Sequence, residues 1–556
     1  MLFIMDVWSY YVAIVIPPKR LHLEIQTHRA HPVGIIRSSY RDPKGGAVKH
    51  SNHGRITGLS LEALQLIRAA FQGQVVPQSD PHAFQCLDSR EYGASYAVLE
   101  IARQLELDRI LYSRNEPWVR DALAMIVGRV VYAGSKLALS NQSKNSALWE
   151  LCGVSGEVDV EEHCYHPMDR LLERQPAIQR ALAQKHLHNG HVVLYDITSS
   201  YLEGQYEQSD IVLFGYNRDG KRSHEQVVLG LLCDERGCPV GIEVFAGNTQ
   251  DAQTVMEKIQ QLRQEYGLSQ VSFVGDRGMI TQANARKLEN VQGVHTISAL
   301  THRQIFELVE RKLIEPELFD EQNIVEVTDP QKPQLRYCLC RNPETQARES
   351  ATRQRLLQLT CQGLDKLVHR QKKAAAEKLG AQVGKLLQSY KMGKFIQWEI
   401  REGRLQYRIK EAALEQEKLL DGCYVVSTTT PKGVMNATQT VSTYKSLSFV
   451  EQAFRTIKTV ALEIRPIYHK KDDRIRSHAF LCMLAYYVYW HMKERLEPLF
   501  REDGQGKHRQ WTMENVLQNL AGIRKQRVRV SGVEFDQVSL PTEQQQRILD
   551  FLKIKL

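Results

Sequence analysis

Three carboxylates stand where a cation could be held between them. Asp196 closes the apolar run HVVLYD, Asp276 closes VSFVGD, and Glu451 lies within YKSLSFVEQAFRTIK, residues 444–458. Both runs of β-formers read as strands that end in their aspartate, at a place where a side chain emerges from a sheet. The third stretch reads as a helix. Leu447, Val450, Phe454 and Ile457 recur at spacings of three and four and make one apolar stripe. Tyr444, Glu451, Arg455 and Lys458 fall on a neighbouring stripe, at the rim of whatever core the helix packs on. Mg²⁺ is a hard cation held by a few carboxylates plus substrate phosphate. Two such ions about 3.5–4 Å apart can activate a nucleophile and stabilise the leaving oxygen of an in-line phosphoryl transfer. Taken singly, the same residues have plainer uses: an aspartate after a strand caps a turn, and charges on a helix pair four residues apart. Their order along the chain favours convergence.

The elements around them suggest how convergence is arranged. Residues 33–56 read as a β-hairpin turning at Pro43-Lys44-Gly45-Gly46, followed by helical patterns near 60–72, 94–107, 117–133 and 167–186. Basic residues in this part (Arg41, Lys44, Lys49, Arg55, Arg120, Arg129, Lys136) could read DNA or be solvated surface charge. The texture changes at His191. Strands are expected at 226–234, 239–247 and 295–300, with helices at 251–266 and near 281–290. Asn248, Thr249 and Asp251 are candidate caps for the first of these helices. Residues 302–422 hold two hairpins and a basic helical stretch. That is too long for a loop, and it reads as an insertion. CYVVST (423–428) then returns the chain to the sheet. The expected division is 1–58 strands and hairpin; 59–188 helical, DNA-binding; 189–301 and 423–500 the two parts of a mixed α/β core; 302–422 an α+β insertion subdomain; and 501–556 a C-terminal helical segment.

Composition sets bounds on function. With 556 residues there is room for two to four domains, and the net charge of +9 permits a polyanionic partner without requiring one. The ten cysteines show no CxxC pair, and His163, Cys164 and His166 lack zinc-type spacing, so reduced thiols in a cytoplasmic protein are expected. The opening MLFIMDVWSYYVAIVI carries Asp6 and lacks a basic leader, so a strand or a start assigned too far upstream is expected there. Ala479–Trp490 spans about twelve apolar residues and reads as a buried helix, not a membrane span.

LYDITSSYLEG (194–204), GLLCDERGCPVGIEVFAGNTQD (230–251), FVGDRGMI (273–280) and YKSLSFVEQAFRTIK with IRPIYH (464–469) together resemble the DDE transposases of the IS4-like group, most closely the IS1634 family. The resemblance runs from about residue 190 to 490. The group's signature is Tyr, two residues, Arg, three residues, Glu, six residues, Lys. Tyr444, Glu451 and Lys458 match it, and Leu447 stands where the signature has Arg, leaving Lys445 or Arg455 to make that contact.

The resemblance implies an RNase H-like mixed-sheet core interrupted by the insertion, with a mainly helical N-terminal region. It implies that Asp196, Asp276 and Glu451 bind two Mg²⁺ (or Mn²⁺) ions, and that Tyr444 and Lys458 hold terminal phosphates. The implied reaction is hydrolysis at a transposon end, followed by attack of the freed 3′-hydroxyl on target DNA. Implied partners are terminal inverted repeats, target DNA and a second copy of the chain, in a prokaryotic nucleoid with no membrane. Arg277, Arg455, Lys470, Lys471 and Arg474 are further candidates for DNA contact, the last three within a basic run that continues to Arg476 and His478. Trp398, in the insertion, is a candidate to stack on an extruded base, with ordinary packing the alternative. Two other readings stay open: a silent transposase-derived DNA-binding protein, and a stand-alone RNase H-like nuclease.

Overall fold

The computed structural model describes residues 21–27, 32–41, 48–72, 84–221, 223–319, 323–369, 376–465, 467–502, 511–530 and 533–556. The first sixteen residues and the turn at 43–46 lie outside them. The chain divides into two units, Met1–Arg90 with Arg524–Ser539, and Glu91–Ile523 with Leu540–Leu556.

In the smaller unit, strands Leu21–Gln26, Val33–Arg41 and Val48–Ile56 form an antiparallel meander. The last two are the expected hairpin. Leu23, Val33 and Ile35 are buried, and the helix Leu61–Phe71, capped by Ser60, sets Leu64 against Gly34. A second three-stranded sheet joins Phe84–Glu91 to the hairpin Arg524–Val530/Val533–Val538. That hairpin corrects the expectation of a purely helical C-terminal segment. Its alternating RKQRVRV run hid a strand because the alternating partners are charges: Lys525 and Arg527 both pair with Asp536 across the hairpin, at 3.1 Å.

The larger unit is mixed α/β, built on an eight-stranded mixed sheet. In chain order its strands are β1 (Val192–Tyr201), β2 (Gln226–Asp234), β3 (Pro239–Ala246), β4 (Val271–Val274), β5 (Val294–Ala299), β6 (Val325–Asp329), β7 (Lys332–Arg341) and β8 (Cys423–Thr428). They lie in the order β6-β7-β8-β5-β4-β1-β2-β3. β1 pairs antiparallel with β2 and parallel with β4, and β4 is parallel to β5. β2 is buried along its whole length, which its unbroken apolar sequence anticipates. Gly230 is needed there, since a Cβ would sit 2.4 Å from the Tyr195 hydroxyl.

Helices pack on the sheet and beyond it. In chain order they are α1 (Pro117–Val131), α2 (His166–His186), α3 (Asp251–Gln264), α4 (Pro343–Val368), α5 (Ala376–Tyr390), α6 (Ala437–Lys445), α7 (Leu447–Arg455) and α8 (Asp472–Glu502). α8 contains the expected apolar stretch, buried from Ser477 to Trp490, and packs on α1, α2 and β3. The cap of α3 is Gln250 in a capping box with Gln253, not one of the three residues expected. Among the described residues no single helix is long and apolar enough to cross a membrane. All ten cysteines are free.

Residues 302–422, expected as an insertion, do not stand apart as a whole. The hairpin β6–β7 continues the central sheet through β8, over a core of Ile305, Leu308, Leu339 and Val425. Residues 336–340 are buried on both faces, which a lone hairpin would not allow. What stands apart is α4, α5, the hairpin Ile396–Arg401/Arg404–Ile409 and the helix Glu411–Lys418. These close around Leu364, Leu379, Val383, Leu387, Ile396 and Leu405.

Candidate functional site

Asp196 does not end its strand. β1 continues from Ile197 to Tyr201 against β2, because ITSSY is itself a run of strand-compatible residues. What ends there is the parallel neighbour. β4 pairs only Val192–Leu194 with Ser272–Val274. Asp196 and Asp276 therefore each lie two residues beyond the matched pair Leu194 and Val274, on neighbouring strands spaced about 4.8 Å apart. Alternation sends Tyr195 towards α3, where Lys258 lies over its ring, and Asp196 to the opposite face. α7 packs against β1 and β2 and carries Glu451.

Backbone donors fix both aspartates. Asp196 Oδ1 accepts from Ile197 N at 2.8 Å, and Asp276 Oδ1 from Arg277 N at 2.7 Å. The Asp276 carbonyl accepts from Met279 N and Ile280 N, which folds the following loop. Burial pushes the Asp196 carboxyl up to about 7. The negative charges of Asp276 and Glu451 add to this, and the Ile197 N–H and Arg218 oppose it. Tyr444 is raised too, first by burial, then by the negative charges of Asp276 and Glu451, with Arg277 opposing. The three carboxylates and Tyr444 thus share one electrostatic site. The carboxylate oxygens are spread wider than one ion's shell: among the described residues, only His186, Cys238 and His491 bring three ligand atoms within 4.8 Å of one another.

Residues 444–458 are not one helix. Tyr444 belongs to α6, the chain steps at Ser446, α7 follows, and Thr456–Val460 widens into a π turn. Leu447, Val450, Phe454 and Ile457 are buried as the stripe requires. Leu447, only 8% exposed, packs in the core at the position where the signature has arginine. The π turn adds a residue to the helical repeat and carries Lys458 inward. Its Nζ donates to Thr198 Oγ1 at 2.6 Å and to Asp219 Oδ1 at 3.2 Å. Arg465 Nη1 lies 2.5 Å from the other Asp219 oxygen, an ion contact without hydrogen-bond alignment.

The other candidates separate. Arg277 and Arg455 are exposed, and Arg277 lies within electrostatic range of Tyr444. Lys470 and Lys471 are exposed just ahead of α8. Arg474 turns back onto the protein, pairing with Glu161 at 2.8 Å and lying over the Tyr165 ring at 4.2 Å. Arg476 donates to the Val244 carbonyl, and His478 is buried beside Lys136. Arg129 and Lys136, expected as surface charge, are both buried. Trp398 is 37% exposed beside Gly380. His163 bonds Asp159, His166 pairs with Glu162, and Cys164 is buried, so these three form no cluster.

One segment escaped sequence reasoning. The loop Phe214–Lys221 borders the acidic site. Arg218 reaches both Asp251 oxygens at 2.6 and 2.5 Å, and its backbone N–H donates to Ser199. Asn217 Oδ1 accepts from Asp219 N and Lys221 N, which folds the loop tightly. Lys221 and Arg465 each lie 5.7 Å from the Tyr201 ring centre. Tyr216 is 83% exposed and lines a cavity of about 480 Å³ with Arg218, Asn248, Asp251 and Thr281. The signal was present in FGYNRDGK: aromatic, basic and glycine residues interleaved between two strands.

The helix step at Ser446 also leaves Phe449 free to abut the β2–β3 turn. Gly237 there has φ +84°, and a Cβ on it would meet the Phe449 Cβ at 2.6 Å. No protein-family model matches the chain, and no curated protein matches it.

Proposed function

We propose that this chain is a DNA transposase of DDE type, resembling the IS4-like group and its IS1634 family, with an RNase H-like core. The observation that carries the reading is the shared register of Asp196 and Asp276 past the Leu194–Val274 pair, with Glu451 electrostatically coupled to Asp196. A carboxylate pushed up first by burial and further by two like charges is a site short of positive charge, and its hard oxygen donors suit Mg²⁺ or Mn²⁺. Bound there, two such ions would activate the nucleophile and stabilise the leaving oxygen of DNA strand cleavage and joining.

The chain's own residues supply position. Tyr444 lies within electrostatic range of Asp276 and Glu451. Arg277, Arg455, Lys470 and Lys471 hold the phosphate backbone of the transposon end from the exposed side. Lys458 and Arg465, committed to Asp219, brace the wall of the site, and Arg474 braces α8. The substrates are terminal inverted repeats and target DNA, bound by two copies of the chain.

The test is DNA carrying the inverted repeats that flank the chain's own gene, with Mg²⁺. Specific nicking and joining are expected from the native protein. Glu451→Gln should bind the same DNA with little change and lose cleavage by at least about a hundredfold. Binding without cleavage by the native chain would mark a silent derivative, and sequence-blind cutting a nuclease.

A further inference from the structure

The β2–β3 turn gathers a second set of donors that the acidic site does not use. His186 ends α2, Cys238 immediately precedes β3, and His491 projects from α8. One ligand atom from each lies within 4.8 Å of the other two. Cys238 Sγ is 3.7 Å from His491 Nε2. A tetrahedral zinc ion, with Zn–S near 2.3 Å and Zn–N near 2.05 Å, sets its sulfur and nitrogen ligands about 3.6 Å apart. The observed spacing is that of two ligands of one ion, and two imidazoles with one thiolate are a zinc-type donor set.

The surroundings hold these donors in place. Asp234 Oδ1 accepts from Arg236 N at 2.9 Å and Cys238 N at 2.8 Å, which fixes the turn beneath the sulfur. The Tyr487 hydroxyl is 2.9 Å from His186 Nε2, and the Tyr487 and Trp490 rings both pack edgewise on His491. Such outer contacts orient metal-binding imidazoles.

We propose that His186, Cys238 and His491 form a binding site for one zinc-class divalent ion, fastening the end of α2 and the β2–β3 turn to α8. A water takes the fourth position. Binding converts the Cys238 thiol to a thiolate and releases one proton to solvent for each ion bound. The competing account is a plain thiol–imidazole hydrogen bond with no affinity for metal.

The full chain, stripped with a chelator, is titrated with Zn²⁺ alone and with Co²⁺ alone. One retained Zn²⁺ per chain is expected, with a zinc-dependent rise in melting temperature and a thiolate charge-transfer band in the Co²⁺ form. Carboxylate-bound Co²⁺ gives no such band, so the acidic site cannot produce it. Cys238→Ser should lose the band and the retained ion, His186→Gln should lower zinc affinity at least tenfold, and Cys86→Ser, at an exposed thiol, should keep everything. Folded native protein that retains no zinc overturns the proposal. So does a band that survives Cys238→Ser or disappears with Cys86→Ser.

Discussion

Leu447 shows how far one residue's neighbours can override its place in a motif. By spacing it occupies the position where the resembled signature has arginine, yet its side chain is buried in the stripe with Val450 and Phe454. Leu447→Arg would bring a long charged side chain into a position packed among apolar residues and should lower stability by about 1–3 kcal/mol, read as the denaturant midpoint at constant slope. Lys136 is a second case. Counted from sequence as surface charge, it is buried, and burial together with Arg129 lowers its pKa to about 7. The unfolded lysine keeps its ordinary higher value, so between these two values the unfolded chain binds more protons. Stability from this group therefore rises with pH through that window, and the penalty is complete below the folded value. Lys136→Met should raise the melting temperature, with a larger gain near pH 6 than near pH 10. The residue types were legible in both cases. Their burial was not, because it depends on segments hundreds of positions away: Lys136 Nζ meets His478.

At the scale of elements, local patterns carried most of the information. The strands at 226–234 and 423–428 and the hairpin at 396–409 follow directly from alternation and turn residues. Partner choice did not. β6 and β7 read as a free-standing hairpin, and their union with β8 is a long-range pairing that no window of sequence displays. In the stretch 444–458 the apolar stripe held but the single helix did not, because a step at Ser446 and a wide turn after Arg455 break the regular repeat that would have kept Tyr444 and Lys458 in line with Glu451. The wide turn has an energetic signature. Asp219, on the loop before β2, is the counter-charge for both Lys458 and Arg465. Asp219→Ala leaves a buried ammonium alone and should cost about 3–5 kcal/mol. Adding Lys458→Met should recover part of that loss, which a double-mutant cycle in denaturant would measure.

For the whole molecule, the net charge of +9 is too modest to announce a nucleic-acid partner, and its distribution matters more. Several basic residues counted from sequence are turned inward or paired, Arg129, Lys136, Lys458 and Arg474 among them. Lys470 and Lys471 remain on the surface. Replacing both with alanine should reduce the slope of log affinity for DNA against log salt by about one for each phosphate no longer neutralised, without changing sequence preference. An unaltered slope would assign both to solvent.

The bare backbone of Gly237 against Phe449 has a mechanical meaning for this arrangement. Without a side chain on the glycine, the turn meets the Phe449 side chain directly, on the helix that carries Glu451. Packing this close leaves the turn little room to move without the helix of Glu451 moving too.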